Sequence, residues 1–223
     1  MNARMTKEEL RHDSFVETIA RASAYLQNNF MTVAVVLVGI ALVIVVGVFF
    51  TQSQQRTAVQ ADQAFFKVTA RYSQGAYSEA LVEADALMQR FGSRQEGKWT
   101  LYFAGAAHLA LAENDRAIER FDEYLAADQG GQYAVAAELG KALALESRGD
   151  LDAAIAAYAE IRNQTEVESG MHVQAVLGET RVLQEVGRSA EAISILEAML
   201  VDADPQVRTE IQARLETLVA LSQ

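Results

Sequence analysis

The chain has no cysteine. Disulfides, thiolate nucleophiles and Cys-ligated zinc or iron–sulfur centres are therefore excluded. It has one proline, Pro205, and 13 glycines in 223 residues. That is too few breakers for a turn-rich sandwich. Ala, Leu, Glu and Val dominate instead, as they do in long helices. Positive charge is scarce, with 19 Lys and Arg against 30 Asp and Glu and a net charge of −11. Residues 1–50 hold four basic residues (Arg4, Lys7, Arg11, Arg21) and four acidic ones (Glu8, Glu9, Asp13, Glu17), so the whole excess lies beyond residue 50. A domain of that sign is repelled by phosphate backbones, which argues against nucleic acid as a partner.

The familiar chemical motifs are missing as well. His12, His108 and His172 stand far apart, and no HExxH pattern joins any two of them. There is no GxxxxGK[ST], no GxGxxG and no GxSxG. Carboxylates are many, but residues such as Asp150 and Asp152 fall where helices start, where they complement the helix dipole. The expectation is a chain with no catalytic residue, no cofactor, no metal and no small-molecule substrate, in which His108 is a packing residue.

One feature is unmistakably present. Residues 31–50, MTVAVVLVGIALVIVVGVFF, hold no charge over 20 positions. As a helix this run is roughly 30 Å long, the thickness of a bilayer's hydrocarbon core. A buried core helix keeps a polar stripe, and this run has none. A cleaved signal ends in a small-x-small site, and this run ends in Phe49-Phe50-Thr51-Gln52. The reading is a transmembrane helix. Four basic residues precede it, and only Arg56 and Lys67 occur in the 20 residues after it. This bias favours a cytoplasmic N-terminus and an exported C-terminal domain. Within the tail, Phe15, Ile19, Ala22 and Leu26 form one apolar helical stripe. It suits a short amphipathic helix on the membrane surface, a helix docked on a partner, or a helical tail with no specific contact. The expected organisation is a cytoplasmic tail over 1–30, a span over 31–50, a linker or helix continuation over 51–60, and a helical repeat domain over 61–223.

The repeats emerge when the segments after each helix turn are aligned: QGAYSEALVEADALM from Gln74, LAENDRAIERFDEYL from Leu111, RGDLDAAIAAYAEIR from Arg148 and VGRSAEAISILEAML from Val186. In each, a small turn residue (Gly75, Ala112, Gly149, Gly187) precedes by five positions an Ala (Ala80, Ala117, Ala154, Ala192). Four positions further on stand Ala84, Phe121, Tyr158 and Leu196. A tight turn between antiparallel helices needs a residue that tolerates positive φ. The Ala lets the paired helices approach, and the larger residue one turn later fills the groove against the next repeat. Such pairs bury their apolar faces only by stacking.

The core Gly75-Ala76-Tyr77-Ser78-Glu79-Ala80, weakened at Gly149–Ala154 and Gly187–Ala192, resembles that of the tetratricopeptide repeat (TPR) family. Leu101 with Gly105 four positions on stands for part of the family's Leu-Gly pair, and the longer spacing implies lengthened loops between helices. The resemblance implies an all-α fold: a single N-terminal transmembrane helix, then a TPR-like α-solenoid of about four helix pairs, with 207–221 as a capping helix. It also implies a concave protein-binding groove lined by first helices, which places Phe65, Tyr72, Trp99, Tyr102, Leu109, Leu139 and Leu177 on or near that surface, as groove or as inter-repeat core. The architecture is further similar to bacterial inner-membrane proteins that act as ancillary subunits of the Sec translocon. That similarity implies a periplasmic repeat domain and translocon subunits, chaperones or exported chains as partners. Two alternatives stay open. One is an accessory structural subunit of another membrane or envelope-assembly complex, and the other is a cytoplasm-facing repeat scaffold.

Overall fold

The computed structural model describes residues 19–166 and 169–221. The chain divides into two compact units, 1–58 and 59–223. The proposed tail residue Phe15 lies outside the described residues; Ile19, Ala22 and Leu26 fall in a helical stretch over 19–28 and are exposed.

Helix α1, Phe30–Ser73, contributes to both units. It is long and apolar enough to cross a membrane, and the apolar window is entirely unburied by protein. Side chains such as Val35, Leu42, Ile44, Val46 and Phe49 all stand exposed. No protein core covers them among the described residues.

In the second unit the end of α1 is followed by α2 (Tyr77–Phe91), α3 (Gln95–Ala110), α4 (Asn114–Ala127), α5 (Ala134–Arg148), α6 (Leu151–Gln164), α7 (Gly170–Glu185), α8 (Ser189–Asp202) and α9 (Pro205–Leu221). Each helix from α2 onward packs on the next, α3 also packs on α5, and α5 on α7. No comparable packing joins the even-numbered helices among the described residues. The odd helices therefore crowd the inner side of the stack and the even helices form the outer side.

The four turns from odd to even helix are built alike. Gly75, Ala112, Gly149 and Gly187 have φ of 75°, 60°, 91° and 78°. At each, this residue's N–H bonds the carbonyl three back and the next N–H bonds the carbonyl five back: Gly149 to Glu146 and Asp150 to Leu145, Ala112 to Leu109 and Glu113 to His108. This paired pattern satisfies the last carbonyls of the odd helices. Ala112 is the sole positive-φ residue other than glycine among the described residues. The Ala at the start of each even helix is buried at all four positions, as are Ala84, Phe121, Tyr158 and Leu196 one turn later.

Two of the returns from even to odd helices are long. Residues 128–133 and 165–169 separate α4 from α5 and α6 from α7. The larger side chains of the even helices are seated on glycine. A Cβ at Gly105 would stand 2.8 Å from the Phe121 ring, and one at Gly140 would also run into that ring. Gly178 receives the Tyr158 ring in the same way, at 2.6 Å. Gly140 and Gly178 follow Leu139 and Leu177 in the sequence. Phe103 stands 37 positions before Gly140, in the cluster that holds Ala84. The first interface thus places its large residue on the odd helix, and the next two place it on the even one. Volume is kept and its owner exchanged, which close packing permits.

Candidate protein-binding cleft

The odd helices enclose a cleft of 320 Å³ along the inner side of the repeats. Tyr72 of α1, Tyr102 and Leu109 of α3, Leu139 and Leu143 of α5, and Met171 of α7 carry its walls. Ala106, Ala110, Ala136, Gly140, Phe121 and Gln174 complete its lining. No residue lining it is charged, although the chain as a whole carries −11.

Of the seven residues placed near the groove from sequence, Tyr72, Tyr102, Leu109 and Leu139 line this cleft. Phe65 and Trp99 do not. Their rings lie 5.6 Å apart, Phe65 also meets Phe103 at 5.5 Å, and Trp99 meets Tyr133 edge-on at 6.3 Å. The Trp99 Nε1–H is buried without a hydrogen-bond acceptor. Leu177 is half-buried against the core of the later repeats. Sequence reading passed over Phe103 and Tyr133, which tie the aromatic group together. Tyr133 stacks flat on Tyr102, with centroids 4.7 Å apart and 1° between planes, and Phe103 meets Tyr72, Tyr102 and Tyr133. Tyr133 sits in the lengthened α4–α5 return, where its N–H donates to the Tyr124 hydroxyl at 3.1 Å. The extra loop length at 128–133 was the one signal for it.

Electrostatics keep the cleft neutral. Burial, and then the neighbouring Tyr77 hydroxyl, push the Tyr72 phenol above its ordinary range. Burial, followed by Tyr72, Tyr133 and Tyr124, does the same for Tyr102. Both phenols are thus hydroxyl donors at neutral pH, at the edge of an apolar surface. The charges are spent elsewhere, in pairs that bridge helices. Arg181 holds Glu146 through both carboxylate oxygens at 2.7 Å, and Tyr158 donates to the same carboxylate at 2.7 Å. Arg162 holds the buried Glu179 at 2.7 Å, and Lys141 holds Asp122 at 2.6 Å. His108 is buried, with Nδ1 2.7 Å from Glu113. No group of three or more His, Asp or Glu is placed to hold a metal among the described residues.

No family model matches the sequence, and no curated protein matches it. Solved structures share the fold. The nearly identical TPR-like repeats of a Podosopora anserina kinesin light chain candidate superpose with a TM-score of 0.60 over 71% of this chain and 85% of that one, at 13% identity. A single-site variant of those repeats gives 0.59, again at 13% identity, over 71% and 84%. This chain has a TPR-like repeat fold. A tetratricopeptide repeat protein from Parabacteroides merdae ATCC 43184 is more distant, with a TM-score of 0.49, 17% identity, and coverage of 71% and 61%.

Proposed function

We propose that this protein is a membrane-tethered adaptor whose TPR-like domain holds apolar segments of other polypeptides in its inner cleft. The observation that carries the reading is the cleft's lack of charge in a strongly acidic chain. A carboxylate or ammonium seated there would lose water and gain no counter-ion, whereas aliphatic and aromatic side chains would bury area against Leu, Met and Tyr. Two phenol hydroxyls and Gln174 serve the backbone of such a segment. The substrate class is therefore an unfolded or extended apolar chain.

The tether is residues 31–50, and the charge bias across it supports a cytoplasmic N-terminus with the repeats exported into a bacterial periplasm. There the domain would meet chains emerging from the Sec translocon and pass them to chaperones, the role implied by its architectural resemblance. A C-terminal fusion to a reporter active only outside the cytoplasm tests the topology, and activity is expected. A silent fusion beside an active cytoplasmic reporter would turn the chain into a cytoplasm-facing scaffold.

The cleft is tested by Ala110→Glu. Ala110 lines the cleft yet is exposed, so the new carboxylate spares the core. Affinity for an apolar unfolded peptide should fall about tenfold, the equivalent of about 1.4 kcal/mol, with unchanged thermal stability. Equal binding would remove the cleft from the mechanism and favour an accessory subunit held by its span.

A further inference from the structure

A second cavity, of 290 Å³, opens on the outer side of the repeats, between α6, α7 and α8. Clefts for drug-sized molecules run from about 300 to 1,000 Å³, so this one suits a single side chain. Val176, Ile195, Ala198 and Met199 make its apolar wall. Arg162, His172 and Ser194 supply its polar groups.

Neither Arg162 nor His172 is fully used by the fold. His172 is only 7% exposed. Its Nδ1 lies 3.2 Å from both the carbonyl and the hydroxyl of Thr165, and that hydroxyl already donates to the Ile161 carbonyl at 2.7 Å. The carbonyl can only accept, so in the neutral ring the proton sits on Nδ1 and Nε2 keeps a lone pair. No hydrogen bond engages Nε2 among the described residues, although the ring lines the cavity. Arg162 gives Nε and, more weakly, Nη2 to the buried Glu179. The pair is neutral as a whole, and Nη1 makes no hydrogen bond within the described fold.

Three features converge on one kind of occupant. A guanidinium attracts an aromatic face. The Met199 thioether makes favourable contact with a ring edge. A buried imidazole lone pair calls for a hydrogen-bond donor. We propose that this cavity receives an aromatic side chain with a polar hydrogen on its rim, tyrosine or tryptophan, presented by a partner protein. The site is separate from the inner cleft and stands whether or not that cleft holds apolar chains. With both occupied, the domain would bridge two polypeptides, one on each side of the stack.

The test uses the full chain in detergent micelles. The chain has three histidines, so the imidazole C–H signals are readily assigned by NMR. N-acetyl-tyrosinamide and N-acetyl-tryptophanamide are titrated in, with the phenylalanine and leucine amides as controls. The His172 signal should shift saturably with the first two, and about tenfold more weakly with the controls, the difference that one buried hydrogen bond makes. Ala198→Trp places an indole in the cavity from its exposed rim and should abolish the shift while the inner cleft stays intact. Equal responses to all four amides, a shift that survives in Ala198→Trp, or no saturable shift at concentrations on the order of 10 mM would each overturn the proposal. If that variant fails to fold, the four amides on the unmodified chain decide alone.

Discussion

At the residue scale, two positions are held against their own preference. Ala112 takes the left-handed conformation that Gly75, Gly149 and Gly187 take in the other turns. For a residue with a Cβ that conformation costs about 1–2 kcal/mol. Ala112→Gly removes the strain but adds freedom to the unfolded chain, so a net gain of about 0.5–1 kcal/mol in a denaturant titration is expected. Glu138 is the second case. Its Oε2 is buried with no partner, because the nearby Lys141 is committed to Asp122. Burial, and then the Glu160 carboxylate, raise its pKa. A carboxyl whose folded pKa is raised favours the folded state when protonated, and that advantage is lost as pH rises through the folded pKa. Glu138→Gln should therefore raise the melting temperature at pH 7, and the gain should vanish as pH falls below the ordinary glutamate range. Glu146 behaves oppositely. Burial opposes its charge, but the Arg181 and Tyr158 hydrogen bonds outweigh burial and hold its pKa low. Its stabilisation is complete above the ordinary glutamate pKa and lost as pH falls through the folded value.

At the scale of the element, the contact between α4 and α5 decides the sign of a substitution. Glycine inside a helix normally costs about 1 kcal/mol relative to alanine, so Gly140→Ala would stabilise an isolated α5. In the folded chain the new methyl meets the Phe121 ring, and overpacking costs about 1–3 kcal/mol. A net loss of about 1 kcal/mol is expected. Gly170→Ala, where a Cβ meets nothing within 4 Å, should do no harm. Adding Phe121→Leu should make Gly140→Ala cheaper than it is alone, and a double-mutant cycle reads that coupling. The even helices were legible in the sequence because each uses one face against the rest of the stack, so Ala117 and Phe121 recur at fixed offsets. The odd helices were harder. Each faces the preceding even helix, its own even helix and the cleft, so apolar and small residues occur almost all round. Gly105 and Gly140 seat the same ring from two helices, which no single-helix periodicity reports. Phe65 and Trp99 could be read as groove or as inter-repeat core for that reason, and Tyr133 was hidden in a loop whose length alone was visible.

At the scale of the whole molecule, charge and the inner cleft are kept apart. The excess of acidic side chains is spread over the surface, and the inner cleft has none. An apolar peptide held there gains its energy from buried area, which salt of the sodium chloride type barely alters. The field of a chain with −11 net charge acts on the approach, and its reach shrinks from about 30 Å at 0.01 M ionic strength to about 3 Å at 1 M. Two peptides with one apolar core, one flanked by lysines and the other by glutamates, should therefore separate in association rate at low salt and converge at high salt. Their dissociation rates should stay close throughout, because the flanking charges lie outside the cleft. Stopped-flow measurements across that range of ionic strength provide the check. A dissociation rate that rises steeply with salt would mean that charged groups, and not the Tyr72–Met171 surface, hold the bound segment.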